Sequence, residues 1–240
     1  MLFLAREIVA GRIPPNDALP PELELVRKFG ISKVVIRECI QELAGYGMIR
    51  VQHGKRTVVL DQSEWNVLAP LVQEAYRLAG GAEDMTDQAY DVRLVLEMNA
   101  VGLAAERRSA SHLDELDALV EAMRSIAMDT REVTEFLVKD RAFHDVVGRA
   151  TGNMVLRAMM RDLHNLLVAN WTGSRTTPAQ LKLLAKQHAA IAEAIRSRNP
   201  ATARRAMEAH LRWAKGVETQ RASGENGPDR NPVRVFGGET

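Results

Sequence analysis

The 240-residue chain has one cysteine, Cys39. A single thiol excludes an internal disulfide and fits a reducing compartment such as the cytoplasm. Aromatic residues make up only 5%, whereas alanine, leucine, arginine and glutamate abound, so a mostly helical chain is expected. No apolar run approaches the roughly 20 residues needed to cross a bilayer. The opening MLFLAREIVAG is apolar but short and carries Arg6 and Glu7 with no basic leader before them. It reads as an amphipathic helix, not a signal peptide. A strong charge of either sign is also missing, the net charge being +1. Divided, the balance says more: residues 1–60 hold nine Lys/Arg against six Asp/Glu, a balance of +3 that leaves −2 for the remainder. This mild asymmetry points to a polyanion partner for the first quarter. Hydrophobic residues at 46% and charged residues at 26% suit a soluble chain long enough for two modest domains.

Three apolar stripes at helical spacing are each interrupted by a histidine. Phe136, Asp140, His144 and Val147 share one helix face, as do Leu181, Leu184, His188, Ile191 and Ile195, and Ala203, Ala206, His210, Trp213 and Val217. A buried polar group without a partner costs a few kcal/mol. Three inward histidines with an aspartate one turn from the first therefore need a common explanation. A shared divalent ion, zinc before nickel or manganese, supplies one, because neutral imidazoles and a carboxylate are ordinary ligands and facing helices ordinary places to hold them. The alternative is that each histidine is a core residue bonded to a nearby carbonyl. His112 follows Ser111 at an apparent helix start, and His164 lies on a polar-rich stretch with no evident partner.

Residues 2–10 read as a short helix that stops at Gly11, and the prolines of IPPNDALPPE forbid helix after it. Pro20, Pro21, Glu22 and Glu24 suit a helix start, and Gly30 a helix stop near Phe29. Ser32 then caps a helix running to about Tyr46, with Val35, Cys39, Ile40 and Leu43 as its apolar positions. Two helices across a glycine turn make a helix-turn-helix, with Ser32, Lys33 and Arg37 near the reading end. MIRVQ and RTVVL alternate around His53, Gly54 and Lys55, a hairpin whose tip, with Arg56, forms a basic wing.

The span from GRIPPNDALPPE through FGIS, VIRE and HGK to RTVV resembles the DNA-binding domain of GntR-type transcription regulators, and the HGK tip is similar to that of the FadR subfamily. The resemblance implies major-groove contacts from Ser32, Lys33, Val35 and Arg37, and minor-groove contacts from His53, Gly54 and Lys55. Leu23 departs from the family where many members carry a DNA-touching arginine. Arg56 stands where a glycine or proline is common and adds a phosphate contact.

Residues 61–80 are expected to hold a short helix with Trp65 and Leu68 before Pro70, then a break at Gly80-Gly81. WNVLAPLV resembles the linker of family members that answer to sugar acids, a match better explained by packing than by function. From about Glu83 to Ala222 the pattern is helical, with breaks near Ser109–Ser111, Asp129–Thr130, Thr151–Asn153, Gly173–Pro178 and Asn199–Pro200, which gives six helices. DVRLVLEMNAVGLAAER, KDRAFHDVVGRATGN, KQHAAIAEAIRSRN and ARRAMEAHL resemble, in order, the FCD effector domain. That resemblance implies Asp140, His144, His188 and His210 as metal ligands, and Arg93 as the group that meets an effector carboxylate. A guanidinium suits a carboxylate, although a surface pair of Arg93 with Asp91 or Glu97 is the other reading. Asn170 and Arg175 are further pocket candidates. The tail 223–240, rich in glycine, proline and polar residues, reads as disordered.

The expected architecture is thus mostly α: a winged helix-turn-helix over 1–60, a linker helix over 61–82, a six-helix bundle over 83–222 and the tail. The expected function is a homodimeric, DNA-binding regulator, not an enzyme, switched by a small carboxylate of sugar-acid or hydroxy-acid type. A metal-dependent hydrolase with a nucleic-acid-binding head is the alternative. Against it, no spare inward acid or base is evident beside the metal.

Overall fold

The computed structural model describes residues 1–52, 54–128, 133–170 and 176–222, without the side chains of 168–170 and 218–222. His53, the Asp129–Thr130 break, the Asn170 side chain, Arg175 and the tail 223–240 lie outside the described residues. The chain divides into two units, Met1–Met85 and Thr86–Thr240.

In the first unit, α1 (Leu2–Val9) buries Leu4, Ala5 and Ile8. Two prolines precede α2 (Glu22–Phe29), which carries Glu22 and Glu24 in its first turn and ends at Gly30 in the left-handed region, where glycine carries no steric penalty. Two residues on, Ser32 caps α3 (Lys33–Gly45) by accepting from the Val35 amide. The inward residues of α3 are Ile36, Cys39, Ile40 and Leu43. Val35 is instead 41% exposed, which corrects its place on the apolar face and leaves it free for a partner. β1 (Ile49–Arg50) pairs antiparallel with β2 (Val58–Val59), Ile49 opposite Val59, as the alternation predicts.

A 3-10 turn at Gln62–Glu64 is followed by α4 (Pro70–Ala79). The expected helix before Pro70 is therefore wrong: proline sits at the first helical position, where its missing N–H is not needed. Trp65 is extended, donates to the Leu60 carbonyl at 3.1 Å and meets Tyr76 edge-on. These contacts give the WNVLAPLV segment a packing role. α4 packs on α1 and buries Val72 and Ala75.

The second unit is built from α5 (Ala82–Arg107), α6 (Ala110–Ile126), α7 (Val133–Ala150), α8 (Met154–Asn170), α9 (Pro178–Arg196) and α10 (Pro200–Ala222). α6 packs on α7 and α9, α7 on α8, and α9 on α10. Capping boxes start α6 (Ser109 with His112) and α9 (Thr177 with Gln180), so His112 serves a helix end. The core joins Phe136, Phe143 and Val147 of α7 to Ile191 and Ile195 of α9 and Met207 and Leu211 of α10. No described helix is long and apolar enough to cross a membrane.

Candidate metal centre and nucleic-acid interface

The three histidine stripes face inward. His144 on α7, His188 on α9 and His210 on α10 are at most 2% exposed, and Asp140 lies one turn before His144. One ligand atom from each of these four residues lies within 4.8 Å of the others. Two of the histidines have Nδ1 in a hydrogen bond elsewhere, and the third, His144, has Nδ1 against a carboxylate. His188 Nδ1 meets the Leu184 carbonyl at 2.9 Å, His210 Nδ1 meets Gln187 Oε1 at 3.0 Å, and His144 Nδ1 meets Glu97 Oε2. An Nδ1 proton given to an acceptor leaves the lone pair on Nε2. His144 Nδ1 and Glu97 Oε2 are close enough for an ion pair but make no hydrogen bond. The Nε2 atoms of His144 and His188 are likewise buried without a hydrogen-bond partner. They stand 4.0 and 3.1 Å from Asp140 Oδ1.

This donor set fits a divalent cation. A neutral imidazole lone pair directed at a carboxylate oxygen 3.1 Å away is repulsive unless positive charge lies between them. Burial alone would raise the Asp140 pKa, but His188, His144 and His210 around it hold it well below the usual carboxylate range. Burial, reinforced by His188 and His144, pushes His210 well below the ordinary imidazole value, so it stays neutral. Ionised carboxylate and neutral imidazole are the forms that ligate. The Asp140 side chain is 21% exposed while those of His144 and His188 are 0%, so the centre meets solvent on the Asp140 side.

Beside it lies a second buried group that sequence reasoning missed. Arg93 and Glu97 of α5 are 5% and 0% exposed. Arg93 Nε donates to Glu97 Oε1, and Arg93 Nη2 donates to His164 Nε2 at 3.1 Å. His164, on α8, uses Nδ1 on the Met160 carbonyl at 2.8 Å. His164 is therefore a buried, partnered residue and not a surface one. Arg93 forms one of its two expected pairs, with Glu97, but inside the bundle; Asp91 binds Lys215 at 2.6 Å instead. Burial and the Arg93 guanidinium lower the His164 pKa from 6.5 to about 4. Burial would raise Glu97, but Arg93, His144 and His164 hold it well below its ordinary value. An inward acid beside the histidines thus does exist, contrary to expectation, and it is tied to a guanidinium.

On the first unit, Lys33 and Arg37 are both exposed. Arg37 Nε donates to the two Glu22 oxygens at 3.2 and 3.0 Å, and Lys33 Nζ lies 3.7 Å from Glu22. The Ser32 hydroxyl is engaged as the α3 cap. Gly54 turns the hairpin tip at φ +71°, with Lys55 and Arg56 exposed beside it.

Residues 3–59 match the gntR family of bacterial regulatory proteins, and residues 88–212 match the FCD domain. The chain is 30% identical over 208 residues to the HTH-type transcriptional regulator LutR of Bacillus subtilis, covering 84% of this chain and 91% of that one. This chain belongs to the GntR family. Its helix-turn-helix and FCD domain together give the FadR-like architecture of that family. The Glc operon transcriptional activator of Escherichia coli K12 is 28% identical over 218 residues, covering 88% of this chain and 84% of the activator. A GntR protein of Streptococcus agalactiae shares the fold, with a TM-score of 0.53 and 21% identity over 90% of this chain and all of that one. These relatives are named as regulators and neither matched domain is an enzyme family, so the hydrolase reading falls.

Leu23 is 56% exposed on α2 and offers an apolar surface there. The signal for Glu97 was present in α5: Ala89, Arg93, Glu97, Ala100 and Ala104 recur at steps of three and four, and all are buried. For His164, buried Met160 and Leu163 mark the same inward face of α8.

Proposed function

We propose that the FCD domain binds a divalent metal ion through Asp140, His144, His188 and His210, and a small sugar-acid or hydroxy-acid effector through Arg93. The observation that carries this reading is the convergence on one carboxylate of three histidines, two of them with Nδ1 hydrogen-bonded elsewhere. Zinc suits the donors best, with nickel and manganese as alternatives. A bound ion supplies a Lewis-acidic centre that takes a further oxygen ligand. The protein's own part is to hold His210 neutral, keep Asp140 ionised and keep a guanidinium buried close by.

GntR-family regulators bind operator DNA. Here Ser32, Lys33, Val35 and Arg37 would read the major groove, and His53, Gly54, Lys55 and Arg56 would enter the minor groove. We assign reading to residues 1–60, the linker to 61–82 and sensing to 83–222. A cytoplasmic homodimer on a palindromic operator meets two half-sites at once. Small effector-driven changes in spacing then lower affinity steeply.

Selection from random duplexes with the purified chain, followed by band shifts with and without a panel of hydroxy and sugar acids, tests the regulator. One metal equivalent per chain and its loss in Asp140→Ala test the centre. Failure to select any sequence ends the operator reading, and equal metal retention by Asp140→Ala ends the ligand assignment. Thermal shifts with the same acids, with and without chelator, separate a sensor from a metal that only stabilises the fold.

A further inference from the structure

Glu97 is fully buried and belongs to neither proposed ligand set. Burying a carboxylate is expensive, and a hydrocarbon side chain would fill the same slot at less cost. Its two oxygens face different groups: Oε1 accepts from Arg93 Nε and lies 3.7 Å from His164 Nε2, and Oε2 meets His144 Nδ1. Arg93 and Glu97 are four residues apart on α5, and so share a face.

We infer that Glu97 is the positioning residue of the metal centre, holding His144 as an Nε2 donor through one oxygen and tying that donor to Arg93 through the other. The inference rests on the metal reading above. His188 and His210 have neutral acceptors on Nδ1, a backbone carbonyl and an amide oxygen. His144 alone among the three has a carboxylate there, which makes its imidazole the strongest donor of the set. Glu97, His144 and His164 also place ligand atoms within 4.8 Å of one another. A second cation there would confront the Arg93 guanidinium, which already donates to both Glu97 and His164. The group is therefore a support for the first site and not another ion site. Sharing one carboxylate makes the Arg93 side and the metal side respond to each other.

Two measurements on the full-length chain test this. In the metal-free protein labelled with 15N-histidine, long-range proton–nitrogen spectra should show His144 protonated on Nδ1, its signal assigned by its loss in His144→Asn. Zn2+ affinity, measured by competition with a chromophoric chelator, should fall about 10–100-fold in Glu97→Gln, with helix content kept. A glutamine that turns its NH2 toward His144 would move the proton to Nε2, so the variant's tautomer should shift as well. An Nε2-protonated His144 in the wild-type chain overturns the inference even if Glu97→Gln does not fold. Unchanged Zn2+ affinity in a folded Glu97→Gln overturns it too. A wild-type chain that binds no Zn2+ overturns the metal reading itself, which is a distinct result.

Discussion

Replacing Arg93 with methionine leaves the Glu97 carboxylate 0% exposed with only imidazoles for partners. Breaking a buried pair from one side typically costs about 3–5 kcal/mol, whereas replacing both partners by apolar groups is often nearly neutral. Urea unfolding in chelator should therefore show Arg93→Met losing about 3 kcal/mol or more, and Arg93→Met/Glu97→Met recovering only part of it, because His144 Nδ1 and His164 Nε2 lose their partners as well. A loss below about 1 kcal/mol in the single variant would mean that the pair is already solvated. The histidines carry a related lesson. The carbonyl-bonded core histidine and the metal ligand were set against each other as readings of the sequence, yet His188 fits both: Nδ1 bonds to Leu184 while Nε2 faces Asp140. An imidazole has two nitrogens, and the choice was never exclusive. His164 uses the same carbonyl bond, to Met160, and spends Nε2 on Arg93.

Turns and helix ends followed local chemistry closely. Gly30 stops α2 and Ser32 caps α3 because each acts on backbone groups within three or four residues of itself. Gly47, between α3 and β1, has φ +71°, and a Cβ there would lie 2.2 Å from the Glu64 carbonyl oxygen. Gly54 has the same φ with nothing within 4 Å of such a Cβ. The left-handed region alone costs a non-glycine residue roughly 1–2 kcal/mol. Gly54→Ala should lose about that much, and Gly47→Ala clearly more, because backbone must shift. Thermal melts of the two variants check the order, and equal losses would refute it. Pro70 misled because proline ends one helix and begins another with equal ease; only the packing of α4 on α1 decided which.

The buried charges make the whole molecule acid-sensitive. His164 titrates near 4 in the fold against 6.5 ordinarily. Between these values the unfolded chain binds a proton that the native state refuses, so stability falls as pH drops from about 6.5 to about 4. For His164 the loss reaches about 3 kcal/mol, and His210 acts in the same direction. Asp140 and Glu97, depressed in the fold, lose their contribution at still lower pH. Urea unfolding of the bundle in chelator, stepped across that range, should show the decline, and a flat profile would contradict it.

Periodicity along single helices was enough to place Asp140, His144, His188 and His210 inward, and punctuation was enough to place the reading helix and its wing, because both depend on neighbours a turn or two away. The choice between a surface and a buried partnership for Arg93 and Glu97 was of another kind. It depended on His164, 71 residues further along, and on His144 from a different helix. Spacing within α5 marks the inward face that Arg93 and Glu97 share, but the environment of a charge is set by whatever packs over it, and that spacing does not name the partners.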